Sequence, residues 1–214
     1  MTADYASWWH DSVQPIIKEN YRTASQVGNK TIRADLNWNW NRNFKWLDLH
    51  NYAHLSTRSE HAAYGLTMIA RNKLREEVPV GMMTLVPRYL CKSDGFGAMT
   101  YTWYISSVPD EFYREYFQSV KLAGVGKALI DAAIIASYRA GLNGEVLLHA
   151  ASEGGNELKR FYDKMGFKAR KWKILPITVV RWVDRKGYML LQSPAAAKII
   201  ELNDPYRRKG YVAE

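Results

Sequence analysis

Cysteine is almost absent from this chain: Cys91 is the only one in 214 residues. A single thiol cannot close an internal disulfide or build a cysteine metal cluster, and it suits a reducing, cytoplasmic setting. Nor does any apolar run approach the roughly 20 residues that span a bilayer, so no membrane association is expected. The opening Met-Thr-Ala-Asp-Tyr-Ala-Ser-Trp-Trp-His lacks both the basic stretch and the apolar stretch of a secretory leader. Repeats, low-complexity tracts and obvious linkers are missing, which speaks against solenoids and disordered arrays. Acidic residues are also short. Asp and Glu total 21 against 30 Lys and Arg, for a formal net charge of +9. A polyanionic partner such as tRNA would suit that balance, and an acidic patch for polycationic small amines is not evident.

What is present reads as one globular domain. The chain is 47% hydrophobic and 24% charged, an ordinary composition for a packed core of this size. Residues 5–26 carry Trp8, Trp9, Val13, Ile16 and Ile17 on a helical face interrupted by Pro15. Residues 37–46 alternate tryptophan with asparagine. That pattern predicts a strand or loop burying Trp38 and Trp40 with the asparagines in water, and a base-stacking platform or a wall of an acceptor pocket are its functional alternatives. Strands are predicted at 64–70 and 80–87 as a hairpin around a charged turn, and at 98–108. Further strands are expected at 145–151, 168–174, 179–183 and 188–192, with a basic, loosely held tail at 205–211. The organisation is therefore an N-terminal helical and Trp-rich segment (1–62) packed on a core (63–192), with a C-terminal extension (193–214).

Two motifs carry chemistry. The first is Lys121-Leu122-Ala123-Gly124-Val125-Gly126-Lys127, followed by an amphipathic helix predicted over 125–140. Two glycines spaced by one residue let backbone approach a ligand closely, and the open amides of the following first turn attract an anion. The second is Phe161-Tyr162-Asp163-Lys164-Met165-Gly166-Phe167, which closes a short helix with Gly166 in a left-handed C′ position. In order, these elements resemble the GNAT family, the Gcn5-related N-acetyltransferases. Lys121, Gly124 and Gly126 stand at the marked places of that family's cofactor loop, Lys121 replacing its Gln or Arg. Phe161, Tyr162, Gly166 and Phe167 match its second signature. Gly155 holds the place where many relatives keep a cofactor-touching asparagine, with Asn156 beside it. Residues 110–118 look like an insertion after Val108-Pro109.

The resemblance implies an α/β fold with a mixed, largely antiparallel sheet and helices on both faces. It also implies acetyl-CoA as co-substrate. Ser107 and Val108 at the end of the central strand, residues 121–127 (Lys121, Leu122, Ala123, Gly124, Val125, Gly126 and Lys127) and Asn156 would then bind it. Coenzyme A is itself a polyanion, which gives the excess of Lys121, Lys127 and Arg160 a second explanation beside tRNA. Acyl transfer to an amine also needs an oxyanion donor, here a backbone amide within 105–108. Tyr162 would be the proton donor to the departing thiolate, since a tyrosine with a pKa of about 10 is protonated at neutral pH. For the base that relieves the amine of its proton, Glu111 is chosen, with Asp110, Glu153 and His149 as alternatives. His10, His50, His54 and His61 show no metal-ligand spacing, so no metal is expected. The expected reaction is N-acetylation of a primary amine borne on a protein, an aminoacyl-tRNA or a small molecule. A silent acyl-CoA-binding module is the alternative, and a homodimer is what the resemblance allows.

Overall fold

The computed structural model describes residues 1–23, 25–26, 32–53, 62–90, 98–118, 121–170 and 187–209. Cys91, His54 and His61 lie outside them, as do the strand expected at 179–183 and most of that expected at 168–174. The chain opens with helix α1 (Ala3–Trp8), which runs through a π-helical turn, Trp9–Val13, into α2 (Gln14–Asn20). Pro15 explains the wide turn. A proline in the first turn of α2 cannot donate to the preceding carbonyl ladder, and the Gln14 amide instead reaches five residues back to Trp9 O.

The Trp-Asn stretch, expected as a strand or loop, turns helical after Asn39. It forms α3 (Trp40–Ala53). Asn39 caps it: its side-chain oxygen accepts from Arg42 N at 2.9 Å, and its carbonyl from Asn43 N at 2.9 Å. Trp40 is fully buried as expected, but Asn43 is buried as well, since a helix rather than a strand decides which residues share a face.

Among the described residues six strands form one sheet in the order β1-β2-β3-β4-β6-β5: β1 Tyr64–Arg71, β2 Glu77–Leu90, β3 Ala98–Ser107, β4 Val146–His149, β5 Lys168–Ala169 and β6 Tyr188–Leu191. Every pairing is antiparallel except β3 with β4. Between β3 and β4 the chain forms α4 (Asp110–Tyr116) and then α5 (Val125–Arg139); after β4 comes α6 (Gly155–Lys164). The expected insertion is thus an ordered helix, with Asp110 and Glu111 in its first turn, where the helix dipole favours acids.

Helix α5 packs on the sheet through Leu129, Ile130, Ala133 and Ile134, all buried at helical spacing. It comes close because Gly81 on β2 has no side chain. A Cβ there would stand 2.7 Å from Val125 Cγ1 and 3.0 Å from Leu129 Cδ1. This face belongs to a core cluster that also takes in Trp9, Trp40, Phe112 and Tyr162. The other face of the sheet has its own cluster around Met99, Tyr101 and Leu147, to which α3 contributes Leu47. Helices therefore cover both faces, as expected.

Of the tail expected to be loosely held at 205–211, residues 205–209 are helical. Residues Ser193–Lys209 form α7, with Pro194 in its first turn, where a missing amide costs nothing. Arg207 donates to both oxygens of the buried Asp131 on α5, at 2.7 and 2.6 Å. That contact holds the helix end beyond Pro205, whose ring removes one ladder bond.

Candidate active site

The cleft exists because two strands part. β3 pairs with β4 only at Thr100–Val146, Tyr101–Leu147 and Thr102–Leu148, yet it continues to Ser107. On its other side the register slips between Thr84 and Leu85, which face Tyr104 and Thr102. Trp103 is the extra residue of this bulge, and bulges sharpen strand twist. Val108 donates its amide to Val80 O at 3.0 Å, so that group belongs to β2 and is no free oxyanion donor. Strand alternation then points the Ile105 and Ser107 amides to the opened side.

A cavity of about 530 Å³ occupies the gap. Ser107, Val108 and all seven residues 121–127 line it, so the cofactor loop expected from the sequence and the end of the central strand face each other. Gly124 is the N-cap of α5 with φ 87°, a left-handed conformation that favours glycine. The first ladder bond of α5 runs from Ala128 N to Gly124 O at 2.9 Å. The amides of Val125, Gly126 and Lys127 therefore have no acceptor within the helix. A Cβ on Gly126 would meet only Phe161 Cζ, at 3.5 Å. Packing does not demand a glycine there, whereas close approach of a ligand would. At the rim, Lys121 Nζ pairs with Asp110 Oδ2 at 2.8 Å, both side chains more than half exposed, a pairing of at most about 1 kcal/mol.

Tyr162 also lines the cavity, held edge-on between Phe161 and Phe167 at 5.3 and 5.5 Å. Among the described residues its hydroxyl has no hydrogen-bond partner. Burial pushes its pKa well above the ordinary tyrosine value, and the nearby Asp35 carboxylate pushes it further. The proton therefore stays on at any physiological pH. Thr102 Oγ1, buried where the strands separate, is likewise without a partner.

The opposite wall comes from residues that sequence reading missed. Arg33 grips Asp35 with two hydrogen bonds, 2.8 Å from Nε and 2.7 Å from a terminal nitrogen, and donates to Ser107 O at 2.6 Å. Ser106 Oγ donates to the same carboxylate. Gln14 Nε2 ties the loop down through Asp35 O at 2.7 Å and Leu36 O at 2.8 Å. Burial alone would raise the Asp35 pKa, but the Arg33 charge, its hydrogen bonds and Ser106 more than offset this and hold it below the usual aspartate value. Tyr21 and Trp38 complete this wall. A pocket wall was one functional alternative for the stretch that holds Trp38, beside burial in the core, and Trp38 packs edge-on to Tyr104 at 4.9 Å. Arg33, Asp35 and Tyr21 left no local signal, being single polar or aromatic residues in an irregular stretch.

Three expected residues sit differently. Asn156 is exposed on the first turn of α6 and does not line the cavity, while Gly154, Glu157 and Leu158 around it do. Glu111 is not on the wall either. Its Oε2 accepts from the Tyr21 hydroxyl at 2.7 Å and its Oε1 from Arg114 at 3.3 Å. Of the alternative bases, Asp110 and His149 line the cavity and Glu153 does not. Among the described residues no group of three or more acids, histidines or cysteines could hold a metal ion. None of the described helices is long and apolar enough to cross a membrane.

No protein-family profile and no curated protein matches this chain. Among solved structures, the crystal structure of the KacTA–DNA complex is 11% identical over 72% of this chain and 84% of its own, with a TM-score of 0.44. A tyrosine-to-phenylalanine mutant of the AtaT toxin, bound to the C-terminus of the antitoxin AtaR and acetyl-CoA, is 12% identical over 72% of this chain and 82% of its own, with a TM-score of 0.41. At this level of likeness neither structure lends its function to the present chain.

Proposed function

We propose that the chain is an acetyl-CoA-dependent N-acetyltransferase acting on a primary amine. One observation carries this reading. The open amides of α5, the stretch of β3 beyond its pairing with β4, and the Tyr162 hydroxyl, without a hydrogen-bond partner among the described residues, all face a single cavity. Those groups suit an acyl-CoA from end to end. The Val125, Gly126 and Lys127 amides with the helix dipole receive a pyrophosphate, and Lys121 and Lys127 add charge at the rim. The edge of β3 that has left β4 receives an extended, amide-bearing arm, as a neighbouring strand would, with Ser107 O kept by Arg33. The thioester supplies an activated acetyl carbonyl and a thiolate leaving group.

The protein's part is to hold and to polarise. The Ile105 or Ser107 amide donates to the carbonyl oxygen as negative charge develops on it. Tyr162 donates to the departing sulfur. With its pKa raised, it acts as a fixed hydrogen-bond donor before it acts as an acid. Glu111 is the proposed proton acceptor, although its carboxylate does not itself line the cavity. A macromolecular acceptor, a protein amine or an aminoacyl-tRNA, is supported by the net charge of +9. Calorimetry with acetyl-CoA should show one site, and incubation of labelled acetyl-CoA with a cell extract should transfer label to a protein, tRNA or small-molecule fraction with release of free thiol. Absence of acetyl-CoA binding would overturn the proposal.

A further inference from the structure

We propose that Tyr21 is a further catalytic residue, whose hydroxyl takes the proton of the attacking amine while passing its own to Glu111. This rests on the acetyltransferase reading and supplies what it lacks, a path from the cavity to a base. Tyr21 lines the cavity and Glu111 does not. The two are 90 residues apart in sequence, yet the phenol donates to Glu111 Oε2 at 2.7 Å. Tyr21 is also fixed relative to the reaction centre. The Arg33 guanidinium lies 5.2 Å over its ring and donates to Ser107 O at 2.6 Å, at the end of the strand whose amides face the acyl group.

Two other acids on the cavity wall are less able to serve. Both Asp35 oxygens are held, by Arg33 and Ser106. Asp110 is drawn to the rim by Lys121. Glu111 keeps a side chain 28% exposed, which gives its proton an exit to water.

The neutral amine forms the N–C bond at the acyl carbon and the C–S bond breaks. The proton leaving nitrogen goes to Tyr21 Oη as the phenol proton moves to Glu111 Oε2. Tyr162 protonates the thiolate, Glu111 later returns its proton to water, and Tyr162 is reprotonated from water. Tyr21 begins and ends neutral. That suits its surroundings: burial, then the hydrogen bond and charge of Glu111, push its pKa up to about 12, against the opposing pull of Arg33 and the Asp110 amide. The charged groups around the pair are Arg33 with Asp35 behind it, Arg114 on Glu111, and Asp110 with Lys121.

The test uses the full chain, acetyl-CoA and four probe amines: phenylalaninamide, spermidine, a lysine peptide and aminoacylated tRNA. Tyr21→Phe and Glu111→Gln should each lower kcat about 10²-fold, with acetyl-CoA affinity unchanged. The double variant should fall no further, as members of one relay behave as a unit. In parallel, with ring-labelled tyrosine, the resonance lost in Tyr21→Phe should remain un-ionised well above pH 10 and ionise earlier in Glu111→Gln. A Tyr21→Phe variant with parental kcat would overturn the relay, as would a Tyr21 resonance titrating near pH 10 like an ordinary tyrosine. Loss of the acetyltransferase reading itself would look different, since the parent would then bind no acetyl-CoA. Should the parent bind it and consume no probe amine, the resonance titration decides alone.

Discussion

The two walls of the cleft are built by opposite means. The glycine-loop wall is local: residues 121–127 and the start of α5 present backbone amides, and what matters is that side chains are absent at Gly124 and Gly126. The facing wall is assembled. Tyr21, Arg33 and Asp35 are brought against Glu111, Ser107 and Ser106 from roughly 70 to 90 residues away, and Trp38 against Tyr104, and each acts through its side chain. The first wall is therefore sensitive to atoms added, the second to atoms removed.

The largest effect is expected on the assembled wall. Arg33→Ala leaves Asp35 buried without its counter-charge, a loss of about 3–5 kcal/mol in stability by denaturant titration at pH 7. The same variant reverses a pH dependence. In the parent, Asp35 has a folded pKa below its unfolded value, so its contribution is present above about pH 4 and is lost as pH falls through the folded pKa. Without Arg33, burial dominates and the folded pKa rises above the unfolded one. The stability deficit should then shrink as pH is lowered from 7 towards 4. A deficit independent of pH, or one that a second change Asp35→Leu does not relieve, would break the distinction between the walls.

Next comes Tyr162→Phe, which deletes only a hydroxyl that has no hydrogen-bond partner among the described residues. Stability should hardly move, while thiol release should drop about 10²–10³-fold, the range for a lost fixed donor at a charge-developing atom. Parental turnover would reduce Tyr162 to a packed aromatic between Phe161 and Phe167. The smallest effect belongs to the local wall. Gly126→Val should fold normally, since its Cβ has room at 3.5 Å from Phe161. Acetyl-CoA affinity should nonetheless weaken by about 1.5–3 kcal/mol, the scale of one hydrogen bond to a charged group. Undiminished affinity in calorimetry would detach the loop from the cofactor and leave the cleft with only its assembled wall.

The legibility of each region followed from the same difference. Gly124, Gly126 and Gly166 could be read because left-handed backbone and close approach leave a mark in the residue type itself. Helix α5 was readable from its apolar spacing, and the hairpin of β1 and β2 from its charged turn. The Trp-Asn stretch misled because alternation mimics a strand; the readable sign was Asn39, an N-cap residue ahead of Trp40. Residues 205–209, expected as part of a loose tail, instead end a helix that opens at Ser193-Pro194, and the Arg207–Asp131 pair that docks it joins residues 76 positions apart.

Glu111 shows where such reading stops. Its place after the central strand was correct, but whether it met the cavity depended on Tyr21, and nothing near either residue in the chain announces the other. By itself the sequence determined the order of the main elements, the glycine loop and the position of Tyr162, since these depend on backbone conformation and periodicity within a few residues. Only the tertiary structure decided that β3 leaves β4 after Thr102, that Arg33 and Asp35 form the wall opposite the loop, and that a phenol links the cavity to Glu111. The physical reason is that hydrogen bonds and ion pairs between side chains depend on distance in space, which only the packing of the sheet and its helices fixes.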